Sequence, residues 1–172
     1  MKDIRVILIS GLSGSGKTTA IKALEDIGFY CVDNLPILLV PKFIELCEQS
    51  GGKITKVAVV EDIRGTVSYP NWGQKAETQE GKDFLEDSRR ILQNLQHEGY
   101  PIEILFLESS DAMLMRRFSE TRREHPLAVG GSIRDGIRLE RERLQGIRDM
   151  ANQVIHTSSF NVHQLKEEIQ QY

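Results

Sequence analysis

Lys17 and Thr18 end an octapeptide, Gly11-Leu12-Ser13-Gly14-Ser15-Gly16-Lys17-Thr18, whose residue types and spacing follow G-x-x-x-x-G-K-[ST]. In that pattern the glycines let successive backbone amides converge on phosphate oxygens, Lys17 reaches the outer phosphates, and Thr18 offers a hydroxyl to magnesium. The stretch points to phosphate chemistry. It leaves open whether a phosphoryl group is transferred, hydrolysed or only held. An apolar run (IRVILIS) before it and a helical pattern after it argue against a merely flexible glycine turn.

Two carboxylates extend the set. Asp62 follows the apolar run VAVVE, where an acid can hold the magnesium shell or order an attacking water; Glu61 competes for that role, and a plain strand-end cap is the alternative. Arg64, two residues on, is either a phosphate or base contact or a surface arginine. Asp33 closes the short run FYCVD, in a position to accept an acceptor's proton or to bind magnesium through water; an Asx turn into Leu35-Pro36 is the alternative, and Asn34 reads as a turn residue. Lys17, Asp62 and Asp33 are thus the catalytic candidates, and Thr18 is the metal ligand.

Residues 111–150 hold nine arginines and no lysine, with seven acids among them. Arg116 with Arg123, or Arg134 with Arg138 and Arg141, would share helix faces and could close over a nucleotide as a lid. For any single arginine an i,i+4 ion pair on a solvated helix is the favoured reading. The four histidines have no metal-ligand spacing with one another or with Cys31 and Cys47, so no structural zinc is expected. Trp72 either stacks on a base or anchors its long loop.

The elements that must position these groups alternate. Strands are expected at 4–10, 29–33, 53–61, 102–108 and 153–158, and helices at 18–27, at 36–50 as short segments, at 77–98 and at 162–171. The arginine-rich stretch is helical with a break near Pro126 and Gly130-Gly131, and 62–75 is a long connection with no clear period. Such alternation implies an α/β fold, a five-stranded parallel sheet with helices on both faces and ligands beyond the carboxyl ends of the strands. Ser13 to Thr18, Asp33, Asp62 and Glu108 all fall at those ends.

A chain of 172 residues suits one domain, 1–172, and a net charge of −3 gives no global pull toward nucleic acid or acidic membranes. Two cysteines without a framework fit a reducing cytoplasm, and no apolar run is long enough for a spanning helix.

Five segments in order, GLSGSGKT, DIGFYCVDNLP, EDIRG, MRRFSETRREHPL and ERERLQGIRDMANQVIHTS, resemble the RapZ-type (YvcJ-like) nucleotide-binding proteins, whose bacterial members include an RNase adapter. The resemblance implies a P-loop NTPase fold of the nucleoside-kinase-like kind that binds ATP and GTP and hydrolyses both weakly with Mg2+. The family's ATP segment maps onto Gly11, Leu12, Ser13, Gly14, Ser15, Gly16, Lys17 and Thr18, and its GTP-assigned segment onto Asp62, Ile63, Arg64 and Gly65. Adjacent strand ends would make both segments walls of one site. Glu108-Ser109 stands where the family usually shows Asp-Ala.

Relatives carry a further C-terminal domain associated with RNA recognition, so the chain is expected to correspond to an N-terminal module. Regulatory RNA, an RNase and homo-oligomerisation are expected of the longer protein. The alternatives are a small-molecule kinase, with Asp33 as base, and an interaction module that holds nucleotide without turnover.

Overall fold

The computed structural model describes residues 3–61, 80–128 and 131–172, with residues 80–85 described by backbone alone. The strands are β1 (Arg5–Gly11), β2 (Tyr30–Val32), β3 (Lys56–Val60), β4 (Ile102–Glu108) and β5 (Gln153–His156). The helices are α1 (Lys17–Asp26), α2 (Val40–Glu48, after a 3-10 turn at Ile37–Leu39), α3 (Glu80–His97), α4 (Asp111–Thr121), α5 (Ile133–Met150) and α6 (Val162–Ile169).

Among the described residues all strand pairs are parallel, in the order β2-β3-β1-β4-β5. The expected five-stranded parallel sheet is therefore present. The register places Val6 and Leu8 of β1 beside Val57 and Val59 of β3 and beside Ile102 and Ile104 of β4. One face of the sheet thus presents a continuous apolar surface, covered by Leu92 and Leu95 of α3, Ile44 of α2 and Ile137, Leu144 and Ile147 of α5. The alternate residues Ile7, Ile9, Ala58, Val60, Leu105 and Leu107 form the second face, covered by Ala20, Ala23 and Leu24 of α1 and Leu165 and Ile169 of α6. Burial on both faces is why β1 reads as an unbroken apolar run rather than an alternating one.

α1, after β1, lies on one face, and α3, the next described element after the neighbouring β3, lies on the other. Doubly wound sheets bind ligands at such a reversal, beyond the carboxyl ends of the strands. The octapeptide leaves β1 at that point.

Several boundaries differ from the sequence reading. β3 starts at Lys56 instead of Lys53 because its ladder partner β1 begins at Arg5, paired with Lys56. β2 is only three residues long and, among the described residues, pairs with β3 alone. The arginine-rich stretch divides into α4 and α5: Arg122, in the left-handed region at φ 52°, ends α4, and Ser132 caps α5 by accepting the Asp135 N–H at 3.2 Å. The final helix stops at Ile169, two residues short of expectation. The expected connection over 62–75, Trp72 and the orientation of Phe84 and Leu85 lie outside the described residues, as does Gly130 of the expected break. Among the described residues no helix is long and apolar enough to cross a membrane.

Gly136 sits inside α5, where alanine has the higher intrinsic helix propensity by about 1 kcal/mol. A Cβ there would lie 2.6 Å from His125 Nδ1 and 2.8 Å from His125 Cγ. Overpacking of a close-fitted interior costs about 1–3 kcal/mol, so the collision outweighs the propensity. Gly136→Ala is expected to lower the urea midpoint of unfolding, and a raised midpoint would show that His125 yields freely.

Candidate functional site

The octapeptide folds as a loop around the amino end of α1. Gly14 and Gly16 take φ of 81° and 108°, and a Cβ at Gly16 would come within 2.6 Å of Leu165 Cδ2. Leu12 is buried against the first face of the sheet, and its N–H donates to Leu107 O at 3.1 Å. Gly16 caps α1 without a side-chain acceptor, whereas Ser110, Ser132 and Asn161 cap α4, α5 and α6 with theirs. The positive end of α1 is thereby left for an anion. Lys17 Nζ donates to Gly11 O at 2.7 Å and Leu12 O at 3.0 Å, which folds the ammonium over the loop.

Side chains from distant parts of the chain hold the loop. Thr157 Oγ1 donates to Ser15 O at 2.6 Å; Arg117 donates to Gly14 O at 2.8 Å and to Thr157 O at 3.0 Å. On the other side, Ser13 donates its N–H and its hydroxyl, each at 2.8 Å, to Glu140 Oε1. Glu140 Oε2 in turn lies 2.6 Å from His125 Nε2, while His125 Nδ1 accepts the Leu127 N–H at 3.1 Å. Because Nδ1 accepts, the ring proton is on Nε2 and points to the carboxylate. Both side chains of this pair are buried.

A cleft of about 660 Å³ opens over the loop, within the range of small-molecule sites. Ser13 to Thr18 form its floor, Asp33 and Asn34 one wall, and Arg123, Glu124 and Pro126 another; Arg117, Thr121 and the Phe160–Val162 segment also line it. Asp33 is exposed and reaches the cleft from the end of β2, next to Asn34 at a left-handed φ of 57°. The turn and site readings of this pair are therefore compatible. Asp62, Ile63, Arg64 and Gly65 lie outside the described residues.

Other expected candidates lie elsewhere. Glu108 is absent from the cleft lining: Arg148 grips it with two bonds of 2.7 and 3.0 Å, and His156 Nδ1 lies 3.0 Å away. The bidentate Arg148 contact holds its carboxyl below the usual range. Arg116 and Arg123 do not share a helix face, because α4 ends at Thr121. Arg116 pairs with Glu120 and Arg138 with Glu142 on exposed helix surfaces, and Arg141 pairs with Asp111. The solvated ion-pair reading holds for Arg116 and Arg138; Arg117 and Arg123 alone of the arginines line the cleft among the described residues.

Glu61 follows β3 and continues its ladder through an N–H bond to Ile9 O at 3.0 Å. Its carboxyl is buried with no hydrogen-bond partner among the described residues, and this burial pushes it up to about 8. Glu140, His125 and Thr157 were not found by motif reasoning. One signal was present: Glu140 shares helical phase with Ile137, Leu144 and Ile147, an acid on the apolar stripe of α5.

The family model for the RapZ-like N-terminal domain matches residues 4–172. A nucleotide-binding protein of Geobacter sulfurreducens is 48% identical over 164 residues, covering 95% of this chain and 52% of the relative. One from Clostridium kluyveri is 49% identical over 166 residues, 96% of this chain and 51% of the relative. The chain thus spans about half the length of the curated relatives it matches. Among solved structures, a shikimate kinase from Bacteroides thetaiotaomicron superposes with a TM-score of 0.56 at 15% identity, covering 97% of this chain and 95% of that one. A thymidylate kinase from Candida albicans gives 0.53 at 13%, covering 98% and 90%. These two likenesses establish the fold, that of P-loop kinases.

Glu61 provides a test of site electrostatics. A carboxyl near 4.5 in the unfolded chain and about 8 in the folded one means the folded state holds the extra proton between those values, so stability falls as pH rises through that window. Glu61→Gln removes the titration. Its stability relative to wild type, measured by urea unfolding with a chelator present, is expected to increase steadily from pH 5 to pH 8. A difference independent of pH would show that Glu61 is ionised in the fold.

Proposed function

Because the chain belongs to the RapZ-like N-terminal domain family, we propose that it is the nucleotide-binding module of a longer regulatory protein, taking ATP or GTP with magnesium and hydrolysing them slowly. The observation that carries this reading is the loop itself: an α1 terminus without a side-chain cap, with Lys17 folded beside it, forms the floor of a cleft large enough for a nucleotide. The backbone amides of the loop and Lys17 bind the phosphates, and the glycine conformations bring those amides to one side.

Thr18 and Asp33 both line the cleft, and hard oxygen donors of this kind suit magnesium. Bound there, the ion would neutralise charge on the outer phosphates. Asp62 to Gly65 form the second nucleotide-contacting segment, with Asp62 or Asp33 ordering the attacking water. Base and ribose extend toward the Phe160–Val162 segment, which lines the same cleft. Regulatory RNA and an RNase engage the portion of the longer relatives that this chain does not match, and the module works in the cytoplasm.

The position of Asp33 supports a second reading. An exposed carboxylate that lines the same cleft as Arg123 could take the proton of an acceptor hydroxyl, as a small-molecule kinase requires. In that case, sugars, acids or nucleosides would accelerate ADP formation.

Calorimetry with ATP, GTP and their diphosphates plus magnesium, followed by turnover rates under the same conditions, tests these readings. Lys17→Ala is expected to weaken triphosphate binding at least about tenfold, the loss of a charge-assisted phosphate contact, and to abolish slow phosphate release. Binding without turnover above that control would leave an interaction module that only holds nucleotide. No binding by the wild type would overturn the reading altogether.

A further inference from the structure

The contacts between Ser13, Glu140 and His125 join three places far apart in the sequence, and motif reasoning gave them no role. Glu140 is 1% exposed and His125 2%. A buried carboxylate is tolerated only when donors surround it, and here the Ser13 N–H, the Ser13 hydroxyl and the His125 Nε2–H meet it at 2.8, 2.8 and 2.6 Å. All three of these donors come from the phosphate loop and the segment after α4.

That segment forms a wall of the cleft. Arg123, Glu124 and Pro126, which flank His125, line it, and His125 is fixed from behind by Leu127 N–H, Gly136 and the Phe118 ring, whose centroid is 5.1 Å away. At the loop end, Ser13 follows the two residues whose carbonyls receive Lys17 Nζ. A nucleotide whose inner phosphates rest on the first turn of α1 would bring its terminal phosphate beside the opening half of the loop, where Ser13 lies. A diphosphate would still reach Lys17 but would end short of that opening half.

We propose that Glu140 is a positioning residue for the third phosphate: through Ser13 and His125 it fixes the opening half of the phosphate loop to the Arg122–Leu127 wall, so that triphosphate recognition depends on the link and diphosphate binding does not. The inference rests on the nucleotide-binding reading above. Glu140→Gln keeps the side-chain shape but breaks one link, because both neighbours donate and the amide accepts on only one side. His125→Ala removes one donor, and His125→Gln returns an N–H near the position of Nε2.

The test measures triphosphate and diphosphate affinities by calorimetry on the 172-residue chain, with circular dichroism as the check on folding. Glu140→Gln and His125→Ala are expected to weaken triphosphate binding about tenfold, to change diphosphate binding by no more than about twofold, and to regain triphosphate affinity in His125→Gln, as loss and return of one charged hydrogen bond would give. Equal weakening of both nucleotides would show a general structural role and overturn the inference, as would a His125→Ala variant with unchanged triphosphate affinity. If Glu140→Gln fails to fold, the His125 pair decides by the same criteria. A wild type that binds neither nucleotide overturns the functional reading; a wild type that binds, with insensitive variants, overturns this inference alone.

Discussion

A loop that turns its backbone amides toward an anion must be held in place by other means, and in this chain its surroundings supply them. Ser13 is held by Glu140, Gly14 by Arg117, and Ser15 by Thr157. Each of these contacts spans more than a hundred residues of sequence, so the loop acquires its shape only once α4, α5 and the end of β5 have docked. The rest of the architecture serves that requirement. The parallel sheet brings the ends of β1, β4 and β5 side by side; α4 and α5 supply Arg117 and Glu140, and Thr157 follows β5 directly.

The two layers of core explain how such different supports converge. α5 lies on the face of Leu8 and Phe106, and α6 on the face of Ile9 and Leu107. The loop crosses from one layer to the other: Leu12 belongs to the first, while α1, which begins at Lys17, belongs to the second. Its opening half is therefore tied to α5 through Glu140. Its closing half meets α6 through Gly16 and Leu165.

The sheet, its parallel sense and the position of the loop were legible because they rest on local pattern: apolar runs, glycine turns and helical phase. β4 was placed residue for residue, since Ile102 to Glu108 is bounded by Pro101 on one side and by the Ser110 cap on the other. The arginines were less legible. Arg116 and Arg117 are neighbours in one helix, yet one faces solvent beside Glu120 and the other reaches Gly14 and Thr157. Which of two adjacent arginines serves the site depends on where α4 docks, and no spacing rule carries that. Glu140 was partly legible, as an acid in phase with leucine and isoleucine. Ser13 was legible as part of the phosphate loop, but its pairing with Glu140 was not, because a contact over 127 residues leaves no mark on either segment.

A buried carboxylate behind a phosphate loop works against the loop's purpose in one respect, since its charge repels the anion that the loop would bind. The geometry limits that repulsion. Glu140 lies behind Ser13, and its two oxygens are occupied by donors, whereas Lys17 and Arg117 reach the loop carbonyls from other directions. Those carbonyls would otherwise present negative dipoles to the cleft. With the cations set against them, and with the Ser13 N–H directed to Glu140, the amides nearest α1 are the donors left to meet the ligand. The carboxylate thus acts chiefly on the loop's shape, and removal of its charge alone would relax that shape more than it would ease the repulsion.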